Sequence, residues 1–138
     1  MSITAIYTFL SLISAYIFYL SLNNSKKDMF YSDTFFLMPF GIYVWGDGLV
    51  LAPFWFVASI IFWFLSIKQV VVFLLVFWVI RSGFEVIYWL NHQSVNNDFN
   101  PPMLRKVKWL DAGKSAILYQ LLHTTIIILG VIGILFTK

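Results

Sequence analysis

The sequence predicts an all-α integral membrane protein, a bundle of four transmembrane helices, and three observations carry that expectation. The chain of 138 residues is 61% hydrophobic and only 11% charged, with a mean hydropathy of +0.86. A soluble domain carries roughly a quarter charged residues. Its apolar residues fall in runs long enough to cross roughly 30 Å of hydrocarbon, which takes about 20 helical residues. The six tryptophans and seven tyrosines gather near the ends of those runs, where an interfacial aromatic belt belongs.

Taken in order, the spans are expected at residues 3–22, 47–67, 69–90 and 115–136, within a single transmembrane domain covering 1–138. The first run lacks a basic leader and a small-residue cleavage site, so a retained helix is expected rather than a cleaved signal. The second needs more care. Apolar character runs from Phe35 to Ile67, which as one helix would measure roughly 50 Å, too long for an upright crossing. Pro39, Gly41, the Gly46-Asp47-Gly48 triplet and Pro53 interrupt it. The expectation is an interfacial or shallow re-entrant segment around residues 35–45, a break at the triplet, and then the span. Between the third and fourth spans, Asn100-Pro101-Pro102 marks residues 93–111 as a loop, and Arg105-Lys106-Val107-Lys108-Trp109 within it reads as a surface anchor.

Charge gives the orientation. The loops at 23–34 and 91–113 lie on one side, with Lys26, Lys27, Arg105, Lys106, Lys108 and Lys114 in or beside them. The other side holds Lys68, Lys138 and the α-amino group. The positive-inside rule then puts both loops in the cytoplasm and both termini outside the cell membrane. A net charge of +3 is too small for a nucleic-acid partner, and anionic lipids at the cytoplasmic face are the expected partner instead. With no cysteine, disulfides, thiolate metal sites and cysteine nucleophiles are excluded.

The candidate site comes from polar residues inside the apolar runs. Arg81, Glu85, Tyr88 and His92 follow the spacing i, i+4, i+7, i+11, one stripe about 60° wide on the third helix. A mid-span arginine or aspartate costs about 2.5–3.5 kcal/mol on insertion scales. Such residues are therefore expected to face the bundle interior or water. Side chains lean toward the helix N-terminus, so Arg81 leans toward the membrane centre and needs a partner there. On the fourth helix Gln120, His123 and Thr124 share a face, and by rise His123 lies roughly 13 Å below the cytoplasmic surface, near the depth of Arg81. Asp47 sits on the same side of the membrane.

The expected binding residues are therefore Asp47, Arg81, Glu85, Tyr88, His92, Gln120 and His123, converging on a polar pocket in the cytoplasmic half. All but Gln120 have a plainer alternative. Asp47 fits an N-cap, and Arg81 with Glu85 fits a structural ion pair. His92 fits a solvated interfacial histidine and Tyr88 a belt residue. His123 fits a buried ring bonded to Glu85 or Thr124.

No metal site is expected, since zinc needs three or four ligands and His123 with Glu85 supplies two. His92 and His123 differ in depth by roughly 13 Å, too far to share one haem iron. No phosphate-binding loop, nucleophile elbow or dinucleotide fingerprint occurs, so the cofactor is left unknown and no catalytic residue is assigned. The leading functional expectation is binding or transport of a small ligand, ion or proton, with a homo-oligomer enclosing the pathway. The alternatives are a structural or assembly subunit of a membrane complex, and an intramembrane enzyme using Glu85 and His123 on a lipid-like substrate.

Overall fold

The computed structural model describes residues 3–93, 100–102 and 104–137. It is all-α. Four helices, α1 (Ile3–Ser25), α2 (Trp45–Ile61), α3 (Ile67–Gln93) and α4 (Ala112–Phe136), are joined by short 3-10 helices at Phe35–Phe40, Phe62–Phe64 and Leu104–Lys106. The chain divides into two compact units at Ser66 and Ile67. Each unit is a helical hairpin.

In the first hairpin α1 and α2 run antiparallel. Tyr7 packs on Phe62 at 5.7 Å between ring centroids, the Ser11 and Ser59 hydroxyls meet at 2.6 Å, and Ser21 lies over Gly48. The buried positions Trp45, Gly48, Ala52, Trp55, Ser59 and Phe62 alternate spacings of three and four, which keeps one face turned to a partner helix. From α1 come Ser14, Ile17 and Ser21. Small side chains let two helices approach closely where lipid offers no hydrophobic drive. A β-carbon on Gly48 would overlap the Ser21 side chain.

The connection between these helices is itself folded. Gly41, at φ 72°, ends the 3-10 helix with its N–H returned to Leu37 and Met38, a left-handed turn that costs glycine little. Thr34 then bonds across to Ile42 and Tyr43, at 2.9 Å through its hydroxyl and 2.8 Å through its N–H. The first amides of a helix have no partner within it. Here Ser32 and Phe30 carbonyls accept from Trp45 and Gly46 at 3.3 and 2.9 Å. The Asp47 carboxylate reaches back to the N–H groups of Tyr43 and Val44 at 2.9 and 3.3 Å. That cap sets the start of α2 at Trp45, so the irregular stretch falls at residues 41–44 and the Gly46-Asp47-Gly48 triplet forms the helix's first turn. Ile17, Leu37, Ile42, Trp45 and Ala52 form the core beneath it.

The second hairpin repeats the plan with α3 and α4. Ser82 faces His123, Trp89 packs on Tyr119 and Ala116, and Leu75 with Val79 covers Gly130 and Gly133. Along α4 the seam residues Ala116, Tyr119, His123, Gly130 and Gly133 keep the same heptad-like spacing. Asp111 caps α4, its carboxylate accepting the Lys114 N–H at 2.8 Å.

Away from the seams the helices present Phe9, Leu12, Val57, Ile80, Phe84, Leu121, Leu129 and further large apolar residues outward. Soluble monomers do not carry apolar surface on this scale. All four helices are long and apolar enough to cross a membrane. The chain is a small multi-pass membrane protein.

Candidate functional site

A charged pair, Arg81 and Glu85, lies well inside α3, and its geometry follows from helix periodicity. Arg81 and Glu85 are one turn apart, and the Arg81 guanidinium donates to Glu85 Oε1. Glu85 Oε2 accepts from the indole N–H of Trp89, another turn along, at 3.2 Å. Both oxygens of the carboxylate are thus engaged by donors that have no acceptor to offer. The two charged side chains keep only 13% and 12% of their surface.

From Trp89 the contacts cross to α4. The Trp89 ring, buried to 2%, meets Tyr119 edge-on at 5.9 Å. Tyr119 tilts against the His123 ring at 4.5 Å. His123 Nδ1 lies 3.1 Å from the hydroxyl of Ser82, which follows Arg81 in the chain. Arg81, Glu85, Trp89, Tyr119, His123 and Ser82 therefore close a circuit within one hairpin. Ser82 and His123 are almost wholly buried.

The remaining expected residues lie elsewhere. Tyr88 and His92 stack on each other at 3.9 Å and 23°, and His92 Nδ1 pairs with the Tyr88 carbonyl at 3.0 Å. Both are exposed, because by the 100° helical step their stripe runs roughly a quarter-turn from the seam through Ser82 and Trp89. Gln120 is half-buried, with its carbonyl taken by the Thr124 hydroxyl at 2.8 Å. Asp47 belongs to the first hairpin, where it has the cap role described above. The partner of His123 is Ser82, a residue that sequence reasoning passed over. Ser82 sits seven residues from both Leu75 and Trp89, and that repeat was the available signal.

The first hairpin offers a different feature, a shallow and almost wholly apolar cleft of about 310 Å³ lined by Thr8, Ser11, Ile60, Trp63 and Phe64. Among the described residues no three His, Asp or Glu side chains are grouped to hold a metal ion. No protein-family model, curated protein or solved structure matches this chain.

Proposed function

We propose that the protein binds or transports a small ligand, ion or proton within the membrane, and that the α3–α4 hairpin carries the site. The observation that supports this most is the burial of His123 against Ser82, beside the Arg81–Glu85–Trp89 network, in helices otherwise apolar. Ionisable side chains inside spans are costly and mark ligand and ion pathways. A serine hydroxyl suits such a histidine, since it can donate to the neutral ring or accept from the charged one by rotating.

The test is flux. Purified protein in liposomes is challenged with a proton gradient and with a panel of small solutes. Uptake in the wild type that falls at least tenfold in His123→Gln and Glu85→Gln, with helicity retained, supports the proposal. No flux, together with no ligand-induced rise in melting temperature in any variant, removes it.

A second reading has its own support. The hydrogen bonds of the circuit close inside the hairpin, as an interhelical lock in a subunit of a larger complex would. Native isolation of a defined complex, with His123→Gln disrupting assembly rather than flux, favours that reading.

The orientation proposed with this function places both termini outside and the loops at 23–34 and 91–113 in the cytoplasm, on the lysine and arginine count. Because the chain has no cysteine, single reporter thiols test this directly. Lys27→Cys and Lys108→Cys should resist an impermeant reagent added to whole cells, and Thr137→Cys should react. The reverse pattern inverts the topology.

A further inference from the structure

We infer that residues 104–114 form a docking surface for the headgroups of anionic phospholipids. The chain's net charge of +3 resides entirely in this stretch, where Arg105, Lys106, Lys108 and Lys114 stand against Asp111 alone. Elsewhere five basic residues balance five acidic ones. The connection of the first hairpin is neutral, Lys26 and Lys27 being matched by Asp28 and Asp33, whereas residues 94–114 keep a net charge of +2 even with Asp98 counted.

The stretch is also folded so that Lys108 and Lys114 stand outward. Leu104 packs into the cluster of Trp89, Ala116 and Tyr119. Successive turns close with Leu104 N–H on Pro101, Val107 N–H on Leu104 and Leu110 N–H on Val107, at 3.2, 3.0 and 3.1 Å. Arg105 Nε is held on the Asn100 carbonyl at 3.0 Å. Outward of this knot stand Lys108, exposed, and Trp109, 79% exposed. Lys114 keeps 69% of its side chain exposed while pairing with Asp111, and an exposed pair of that kind is worth little and leaves the cation available.

Location selects the occupant. Trp109 lies just before Ala112, where α4 begins as a membrane span, which sets its indole at headgroup depth. Cations that meet a surface at that level find lipid phosphates. Attraction to an anionic leaflet is worth about fivefold in association per lysine or arginine near it.

The experiment uses the full chain in phosphatidylcholine vesicles, with spin-labelled phosphatidylglycerol or phosphatidylcholine as the probe of association. The wild type should select phosphatidylglycerol, and Lys108→Gln should lower that selection about fivefold. Lys26→Gln with Lys27→Gln should leave it unchanged. Raising salt to about 1 M, where the Debye length falls to roughly 3 Å, should erase most of it in the wild-type protein, a check that needs no variant. Brominated phosphatidylglycerol should quench more fluorescence in the wild type than in Trp109→Phe. Equal association of the two lipids, insensitivity to salt, or equal loss in the Lys26/Lys27 variant overturns the inference. Abolition by excess inorganic phosphate at constant ionic strength overturns it too, because the surface would then read free phosphate rather than a bilayer.

Discussion

Between the helices of the first hairpin lie Ser11, Ser14, Ser21, Gly48, Ala52 and Ser59; between those of the second lie Ser82, Trp89, Tyr119, His123 and Gly130. The spacing is alike, and so is the reliance on small residues for close approach. The chemistry differs. In the first hairpin Ser11, Ser14 and Ser59 reach carbonyls of their own helices, Tyr7, Leu10 and Phe56, at 3.1, 2.7 and 2.7 Å. Ser11 and Ser59 also meet across the seam, and Ser21 Oγ is buried without a hydrogen-bond partner among the described residues. In the second, His123 bonds across the seam to Ser82, and a guanidinium–carboxylate pair runs alongside. One seam is neutral, while the other keeps ionisable groups where they are expensive. The difference teaches that helix packing alone does not require the polar residues of α3 and α4.

The largest effect should come from breaking the ion pair on one side. Arg81→Met leaves the Glu85 carboxylate without its cation and should cost about 3–5 kcal/mol of hairpin stability, read by reversible unfolding in bicelles. Converting both residues to methionine should recover most of that loss. If the double variant is as unstable as the single, the pair is more than a balanced couple, and the contrast between hairpins sharpens.

Next come the hydrogen bonds across the seams. Ser82→Ala removes a partner of a buried histidine and should cost about 1–2 kcal/mol, the upper end for hydrogen bonds between membrane helices. Ser11→Ala removes one of two partners of Ser59, and membrane hydrogen bonds of that kind average about 0.6 kcal/mol. Equal losses in the same unfolding assay would break the distinction drawn between the hairpins.

The glycines give a smaller pair. A β-carbon at Gly130 meets the γ-methyl of Val79, whose branched side chain has little freedom to retreat. Gly130→Ala should therefore cost about 1–3 kcal/mol. At Gly83 nothing lies within 4 Å, so Gly83→Ala should be neutral or stabilising by up to about 1 kcal/mol. Thermal unfolding of both checks the seam assignment.

The smallest effect concerns pH and the exposed cap of α4. The Lys114 ammonium, and then its N–H, hold the Asp111 carboxyl below its ordinary value of 3.8. A lowered folded value means that the stabilisation is complete above the unfolded value and disappears as pH falls through the folded one. Protection of the first-turn amides of α4 from hydrogen exchange, taken relative to unstructured amides at the same pH, should thus hold down to about pH 4 and fall only below it. A loss of protection already near pH 6 would contradict the cap.

Much of this architecture was legible in the residues. Length and composition defined four helices, because the bilayer fixes how many apolar residues a crossing needs. The plainer alternatives to a binding role, a helix cap for Asp47 and an ion pair for Arg81 with Glu85, were open to sequence because both depend on neighbours within one turn. Asp47 stands at the third position of α2, however, and not at its N-cap, which is Val44. The folding of residues 26–44 was less legible: it rests on Thr34 meeting Ile42 and on Phe30 and Ser32 reaching the start of α2, contacts that no local pattern announces. The same limit hid Ser82. Charge drew attention to the flank of α3, whereas burial follows the uncharged heptad of Leu75, Ser82 and Trp89, and a mid-helix serine stands out only once its histidine is opposite.

The central claim is that His123 is built into the seam by Ser82, and nitrogen NMR of histidine-labelled protein in bicelles tests it most directly. The chain has two histidines, so His92 serves as the internal control. Ser82→Ala should shift the ring nitrogens of His123, Ser59→Ala should leave them in place, and neither should move His92. A His123 ring that ignores Ser82→Ala and exchanges its proton with bulk water as fast as His92 would contradict the account.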